Sequence, residues 1–177
     1  MDGVVLVTGV MAAGKSTVAQ ALAERLPRAA HVRGDVFRRM IVSGREEYLP
    51  DAVPDGEAEA QLRLRYRLSA ATADAYARAG FTAVVQDVVL GDDLAAYVDL
   101  VRARPLHVVV LAPSPKTVAA REAGRAKTGY GAWTVERLDA DLRAATPRIG
   151  LWLDNSELTV AQTVDAIVSG RERARVF

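Results

Sequence analysis

Residues Gly9 to Thr17 read G-V-M-A-A-G-K-S-T and directly follow the apolar run Val4 to Val7. The spacing G-x-x-x-x-G-K-[ST] is the pattern of a loop that wraps a polyphosphate. Glycines at Gly9 and Gly14 let successive peptide N–H groups converge on phosphate oxygens, and Ala12 and Ala13 are small enough to leave that turn open. A helix starting near Lys15 turns its unpaired N–H groups and positive dipole end to the same anion. In this pattern Lys15 reaches the β- and γ-phosphates, Ser16 offers a hydroxyl to Mg²⁺, and Thr17 completes the motif. The segment implies a nucleoside triphosphate as ligand.

Ligands of open parallel sheets lie beyond the carboxyl ends of the strands, so polar residues just after each apolar run are the next candidates. Asp35, in H-V-R-G-D-V-F-R-R, is placed to accept the proton of an attacking hydroxyl as a general base. The same position would N-cap a helix beginning at Val36, and the two roles are compatible. Arg38, one turn on, faces either a polar group of the acceptor or solvent. Asp87, in A-V-V-Q-D-V-V-L, stands where a carboxylate orients Mg²⁺ or its water or meets the acceptor, with turn capping as the other reading. Arg121 and Arg125 are four apart and share a helix face, a pair suited to clamp a transferring phosphoryl group unless that face is simply solvated. His31 and His107 lie in apolar runs without carboxylate or cysteine partners at ligand spacing, and read as core or edge residues.

The elements that must position these groups alternate along the chain. Strand-like runs at Val4–Val7, His31–Arg33, Phe81–Gln86, Leu106–Leu111 and Ile149–Leu153 are separated by stretches of helical periodicity. This pattern predicts an α/β fold, a parallel sheet with helices on both faces. Asp92 and Asp93 are expected to form or cap a helix start, Ser114 with Pro115 to open another, and Thr159 with Gln162 to make a capping box. The tail Arg171–Phe177 is expected to fray. The polar connection from Ser43 to Gly56, or as far as residue 60, is a candidate substrate cover.

Bulk properties narrow the function classes. With 177 residues, half of them apolar, the chain suits a single domain over 1–177. The net charge is +1, from 23 basic and 22 acidic residues, so it carries no footprint for nonspecific nucleic-acid or membrane binding. The 20 arginines against 3 lysines make individual surface arginines uninformative. No cysteine is present, which excludes disulfides and thiolate metal sites. No apolar run approaches the ~20 residues of a membrane helix and no leader pattern stands at the start, so a cytoplasmic location is expected.

Together, V-T-G-V-M-A-A-G-K-S-T, G-D-V-F-R-R, Q-D-V-V-L-G and R-E-A-G-R-A-K-T-G-Y-G resemble the chloramphenicol phosphotransferase-like group of small P-loop kinases over nearly the whole chain. The resemblance implies a three-layer P-loop NTPase fold with a five-stranded sheet in the order 2-3-1-4-5. It implies ATP with Mg²⁺ as donor and a hydroxyl of a small molecule as acceptor. On it Asp35 is the base, Arg121 and Arg125 belong to a mobile lid over about 114–132, and Asn155, in L-W-L-D-N-S, lies where such kinases pass beside the adenine. The pair Asp35 and Arg38 also resembles the 5′-hydroxyl polynucleotide kinases, which keeps a nucleoside or nucleic-acid end as an alternative acceptor. A regulatory module that binds ATP without transferring its phosphoryl is the alternative from a different class.

Overall fold

The computed structural model describes residues 1–49, 52–124 and 133–177. Five strands, β1 (Val4–Gly9), β2 (Ala29–Arg33), β3 (Thr82–Gln86), β4 (Leu106–Leu111) and β5 (Leu151–Leu153), form one parallel sheet in the order β2-β3-β1-β4-β5. Every residue of β1, β3 and β4 is buried. Alternate strand residues point to opposite faces, so burial of all of them means that helices cover both sides. That explains why Val and Leu make up most of these runs. Each such side chain taken from water contributes about 1.5–3 kcal/mol.

The helices are α1 (Lys15–Arg25), α2 (Gly34–Arg39), α3 (Glu57–Arg78), α4 (Asp93–Leu100), α5 (Pro115–Ala123), α6 (Val135–Ala145), α7 (Val160–Ser169) and the single turn α8 (Arg171–Ala174). α1 packs against α7, and α3 against α2 and α4. Ser114 accepts from the Thr117 N–H with Pro115 behind it, and Thr159 and Gln162 form both halves of a capping box.

Two local expectations are corrected, and the helix start expected at Asp92 and Asp93 is found without a side-chain capping bond. α2 starts at Gly34 with Arg33 at its N-cap, which puts Asp35 inside the first turn instead of at the cap. Asp92 holds the N-cap of α4. The tail is not frayed: Ala174 is buried, Arg175 bridges antiparallel to His107, and the Val176 N–H donates to the Leu106 carbonyl at 2.8 Å. These last residues lie along β4 where its neighbour β5 has not begun, and so satisfy backbone groups left unpaired there.

Candidate active site

The loop between β1 and α1 carries three residues in the left-handed region, Gly9 at φ 140°, Ala12 at 59° and Gly14 at 96°. A Cβ at Gly9 would stand 2.3 Å from the Leu111 carbonyl oxygen, so close approach of β4 requires glycine there as well. Ala12 keeps its Cβ in a conformation that costs an L-residue about 1–2 kcal/mol. Lys15 is 6% exposed, and its Nζ donates to the Val10 carbonyl at 2.7 Å, which curls the ammonium back over the loop. Ser16 and Thr17 are exposed in the first turn of α1.

On the far side of β3, Asp35 forms an ion pair with Arg39 one turn along α2. Arg38 is ion-paired with Glu47. Asp87, just past β3, is fully buried. Its Oδ1 accepts the Val88 N–H at 2.7 Å and its Oδ2 the Arg65 Nε–H at 2.9 Å, while Arg65 Nη2 pairs with Oδ1. Arg65 belongs to α3 and was not among the residues singled out in the sequence. Burial lowers its pKa from the ordinary value; Tyr66 and Asp35 oppose the shift and Arg38 adds to it. A usable signal existed: Arg65 lies three residues after Leu62 and four before Ser69, inside a stripe that is otherwise apolar or buried.

On the other side of β1, the Arg121 guanidinium joins two loops, with Nη1 donating to the Ala13 carbonyl at 3.2 Å and Nη2 to the Asn155 carbonyl at 2.8 Å. The Asn155 side chain donates from Nδ2 to the same Ala13 oxygen at 3.0 Å. Arg125 lies outside the described residues, as do Pro50, Asp51 and residues 126–132 of the expected lid.

Lys15, Ser16, Thr17, Asp35, Arg38, Arg65, Arg121 and Asn155 all line one open cleft of about 1080 Å³. That volume exceeds what a single small ligand fills. Tyr48 and Trp133 also line it, stacked with ring centroids 6.4 Å apart, and Trp133 Nε1 donates to the Tyr48 carbonyl. The segment bearing Tyr48 is tied to α3 by Gln61, which donates to the Gly44 carbonyl at 2.8 Å and accepts from the Glu46 N–H at 2.9 Å. The two histidines lie elsewhere, His31 on the edge strand and His107 buried in β4, and burial lowers the pKa of each. Among the described residues no group of three or more His, Asp or Glu is placed to hold a metal without help from a ligand.

A family model described as "AAA domain" matches residues 4–147. No curated protein sequence matches the chain. Solved structures with similar folds include an unliganded sugar kinase from a Janibacter species, 21% identical with a TM-score of 0.72 over 98% of this chain and 96% of that one. The tunicamycin resistance protein of Deinococcus radiodurans is 16% identical, with a TM-score of 0.69 over 96% and 95% of the two chains. The APS kinase of Mycobacterium tuberculosis, in complex with AMPPNP and APS, is 17% identical with a TM-score of 0.65 over 97% and 98%. At these identities the likeness establishes a P-loop kinase fold.

Proposed function

The chain belongs to the AAA domain family, and within it we propose an ATP-dependent phosphotransferase that moves the γ-phosphoryl group to a hydroxyl of a small molecule. One observation carries this reading: the phosphate loop and Asp35 line a single cleft large enough for donor and acceptor together. The chloramphenicol phosphotransferase-like group remains the specific kinship proposed, and the tunicamycin resistance protein among its fold neighbours is in keeping with it.

The roles follow from position. Main-chain N–H groups from Gly9 to Ser16 bind the phosphates, and Lys15 leaves the Val10 carbonyl to meet the β- and γ-oxygens. The Ser16 hydroxyl would hold Mg²⁺, which when bound would neutralise charge on the phosphates. Asp87 is already engaged by Arg65 and Val88, so we assign it to fixing Arg65 beside the acceptor, with any contact to the metal's water secondary. Asp35 takes the proton of the acceptor hydroxyl as its oxygen attacks phosphorus; the bond to the bridging oxygen breaks, and ADP leaves with that electron pair. Arg121, with Arg125, is assigned to stabilise the charge that develops on the transferring group. The segment 43–49 with Trp133 is assigned to cover the acceptor.

The ion pairs favour a small acceptor over a nucleic-acid end. Arg38 is neutralised by Glu47 and Arg65 by Asp87, which leaves neither cation unpaired for a strand phosphate. Incubation of the protein with Mg-ATP and a pool of metabolites and antibiotics, read by mass spectrometry, is expected to show one compound gaining a phosphoryl group with matching ADP release. ATP binding without any phosphorylated product would overturn the transferase reading in favour of a regulatory module, and label transfer to an oligonucleotide 5′ end would overturn the small acceptor.

A further inference from the structure

Most polar groups on the acceptor side of the cleft are already engaged. Arg38 is answered by Glu47, Arg65 by Asp87, and Arg63, nearby on α3, by Glu59 and Asp55. The Tyr66 hydroxyl donates to the Val88 carbonyl at 2.8 Å, and the Gln61 amide is spent on Gly44, Glu46 and Glu57. Asp93 is the exception. This first residue of α4 lines the cleft half-buried, and among the described residues its carboxylate has no hydrogen bond or ion pair. Burial raises its pKa; Arg63 opposes the shift, and Glu59 and Asp92 add to it. Its charge is felt at the Tyr66 hydroxyl, second to burial in raising that pKa, and at the Tyr48 hydroxyl, after burial and Glu59. The carboxylate therefore stands within electrostatic reach of the aromatic wall that Tyr48 forms with Trp133.

This wall treats three kinds of acceptor differently. An anionic acceptor has to displace a carboxylate from Arg38 or Arg65, and it meets Asp93 as a like charge. A polyol needs a partner for each hydroxyl it takes out of water, and Gln61 and the Tyr66 hydroxyl are committed elsewhere. A protonated amine supplies what Asp93 lacks. The charge-assisted hydrogen bond it makes is about twice as strong as a neutral one, and the nearby aromatic faces attract a cation as well. The rings of Tyr48 and Trp133, with Leu62 and Leu90, offer apolar area to the rest of such a molecule. We propose that the acceptor is an aromatic amino alcohol: its ring lies on the Tyr48 and Trp133 wall, Asp93 receives its protonated amine, and its hydroxyl is presented to Asp35. Asp93 is then the residue that selects the acceptor, and it takes no part in the proton transfer.

The inference rests on the transferase reading above, and measuring binding apart from transfer separates the two. Trp133 and Trp152 are the two tryptophans of the chain, so Trp152→Phe leaves the cleft residue as sole fluorescence reporter. The probes are matched sets of hydroxylated aromatic compounds carrying a free amine, its N-acetyl amide or a carboxylate. One such set is 2-amino-1-phenylethanol, its N-acetyl derivative and mandelate, with glucose as the polyol. In the presence of Mg²⁺ and AMPPNP the amines are expected to bind about tenfold or more tightly than the amides, with carboxylates and glucose weaker still. Asp93→Asn is expected to bind amine and amide alike, whereas Asp92→Asn, at the exposed neighbouring position, keeps the preference. Equal or tighter binding of the amide, the carboxylate or glucose by the protein with Asp93 intact overturns the amino-alcohol assignment, as does a preference for the amine that survives Asp93→Asn. Phosphorylation of one of those other compounds from Mg-ATP leaves the transferase reading standing while the assignment falls. Binding of the amines through Asp93 without any transfer upholds the assignment and overturns the transferase reading.

Discussion

The carboxylate of Asp87 lies directly against the backbone of Gly34, so that a Cβ at residue 34 would stand 1.9 Å from Oδ2 and 2.4 Å from Cγ. The contact joins the end of β3 to the start of α2, and the next residue of α2 is Asp35. Asp87 cannot swing away, being held by Arg65 and the Val88 N–H. Gly34→Ala is therefore expected to cost about 3 kcal/mol or more, the upper range for overpacking. In urea titration the midpoint should fall with the slope unchanged. Turnover should fall further than ATP affinity, since the displaced segment carries Asp35 and not the phosphate loop.

The Asp87 side chain of the Arg65–Asp87 pair is fully inaccessible, and the Arg65 side chain is only 15% exposed. Removing one partner strands the other charge away from water, at a cost of about 3–5 kcal/mol. Arg65→Met and Asp87→Leu are each expected to destabilise by that amount, and the double variant by much less than their sum. The double variant should regain stability without regaining turnover, because Arg65 is lost from the acceptor wall. Additive losses in denaturant unfolding would show that the two side chains act independently.

The parts of this site that were legible in the sequence are local in the chain. The phosphate loop declares itself within nine residues, and Asp35 and Asp87 sit immediately after strands whose apolar runs were readable. The strand order came with the family resemblance. What stayed hidden depends on distance. Arg65 meets Asp87 across 22 positions, and Trp133 meets Tyr48 across 85. The tail was misread because its hydrogen bonds go to β4 near residue 106, a partner that no periodicity within seven residues reveals. Asp is a good capping residue, which favours a cap at Asp35, but the helix starts two residues earlier, at Gly34, whose backbone packs against Asp87.

Ala12 offers a test of loop strain. At φ 59° its Cβ costs about 1–2 kcal/mol, and glycine gives back about 0.5–1 kcal/mol through its greater freedom in the unfolded chain. Ala12→Gly is expected to raise stability by about 0.5–1 kcal/mol on this difference, with ATP affinity unchanged. Ala12→Val, β-branched at a positive φ, should lower both. Differential scanning calorimetry together with nucleotide titration checks the pair.

Lys15 separates folding from binding. Its buried ammonium is held by the Val10 carbonyl, an oxygen that also accepts the Ala13 N–H at 3.2 Å and so keeps a partner when the lysine goes. Lys15→Met is expected to change stability by no more than about 1 kcal/mol. Its affinity for Mg-ATP should fall about a hundredfold, the two charge-assisted contacts to phosphate being lost. A large loss of stability with ATP affinity retained would make Lys15 a structural residue.

Asp35 and Arg39 distinguish a chemical role from an ion pair. The two form an exposed i, i+4 pair on α2, Arg39 more than half accessible and Asp35 38%, and such pairs contribute about 0.3–0.5 kcal/mol. Arg39→Ala is therefore expected to leave stability nearly unchanged and turnover within a few-fold. Asp35→Asn breaks the same pair, at the same small cost to folding, but also removes the group that takes the hydroxyl proton. Loss of a general base slows turnover by about 10²–10⁴-fold. ATP affinity should hold, because the phosphate loop lies across β3 from Asp35. The comparison of kcat and ATP affinity in the two variants decides the matter: equal, small effects in both would reduce Asp35 to a surface partner of Arg39, whereas a fall confined to kcat in Asp35→Asn alone places proton removal on its carboxylate.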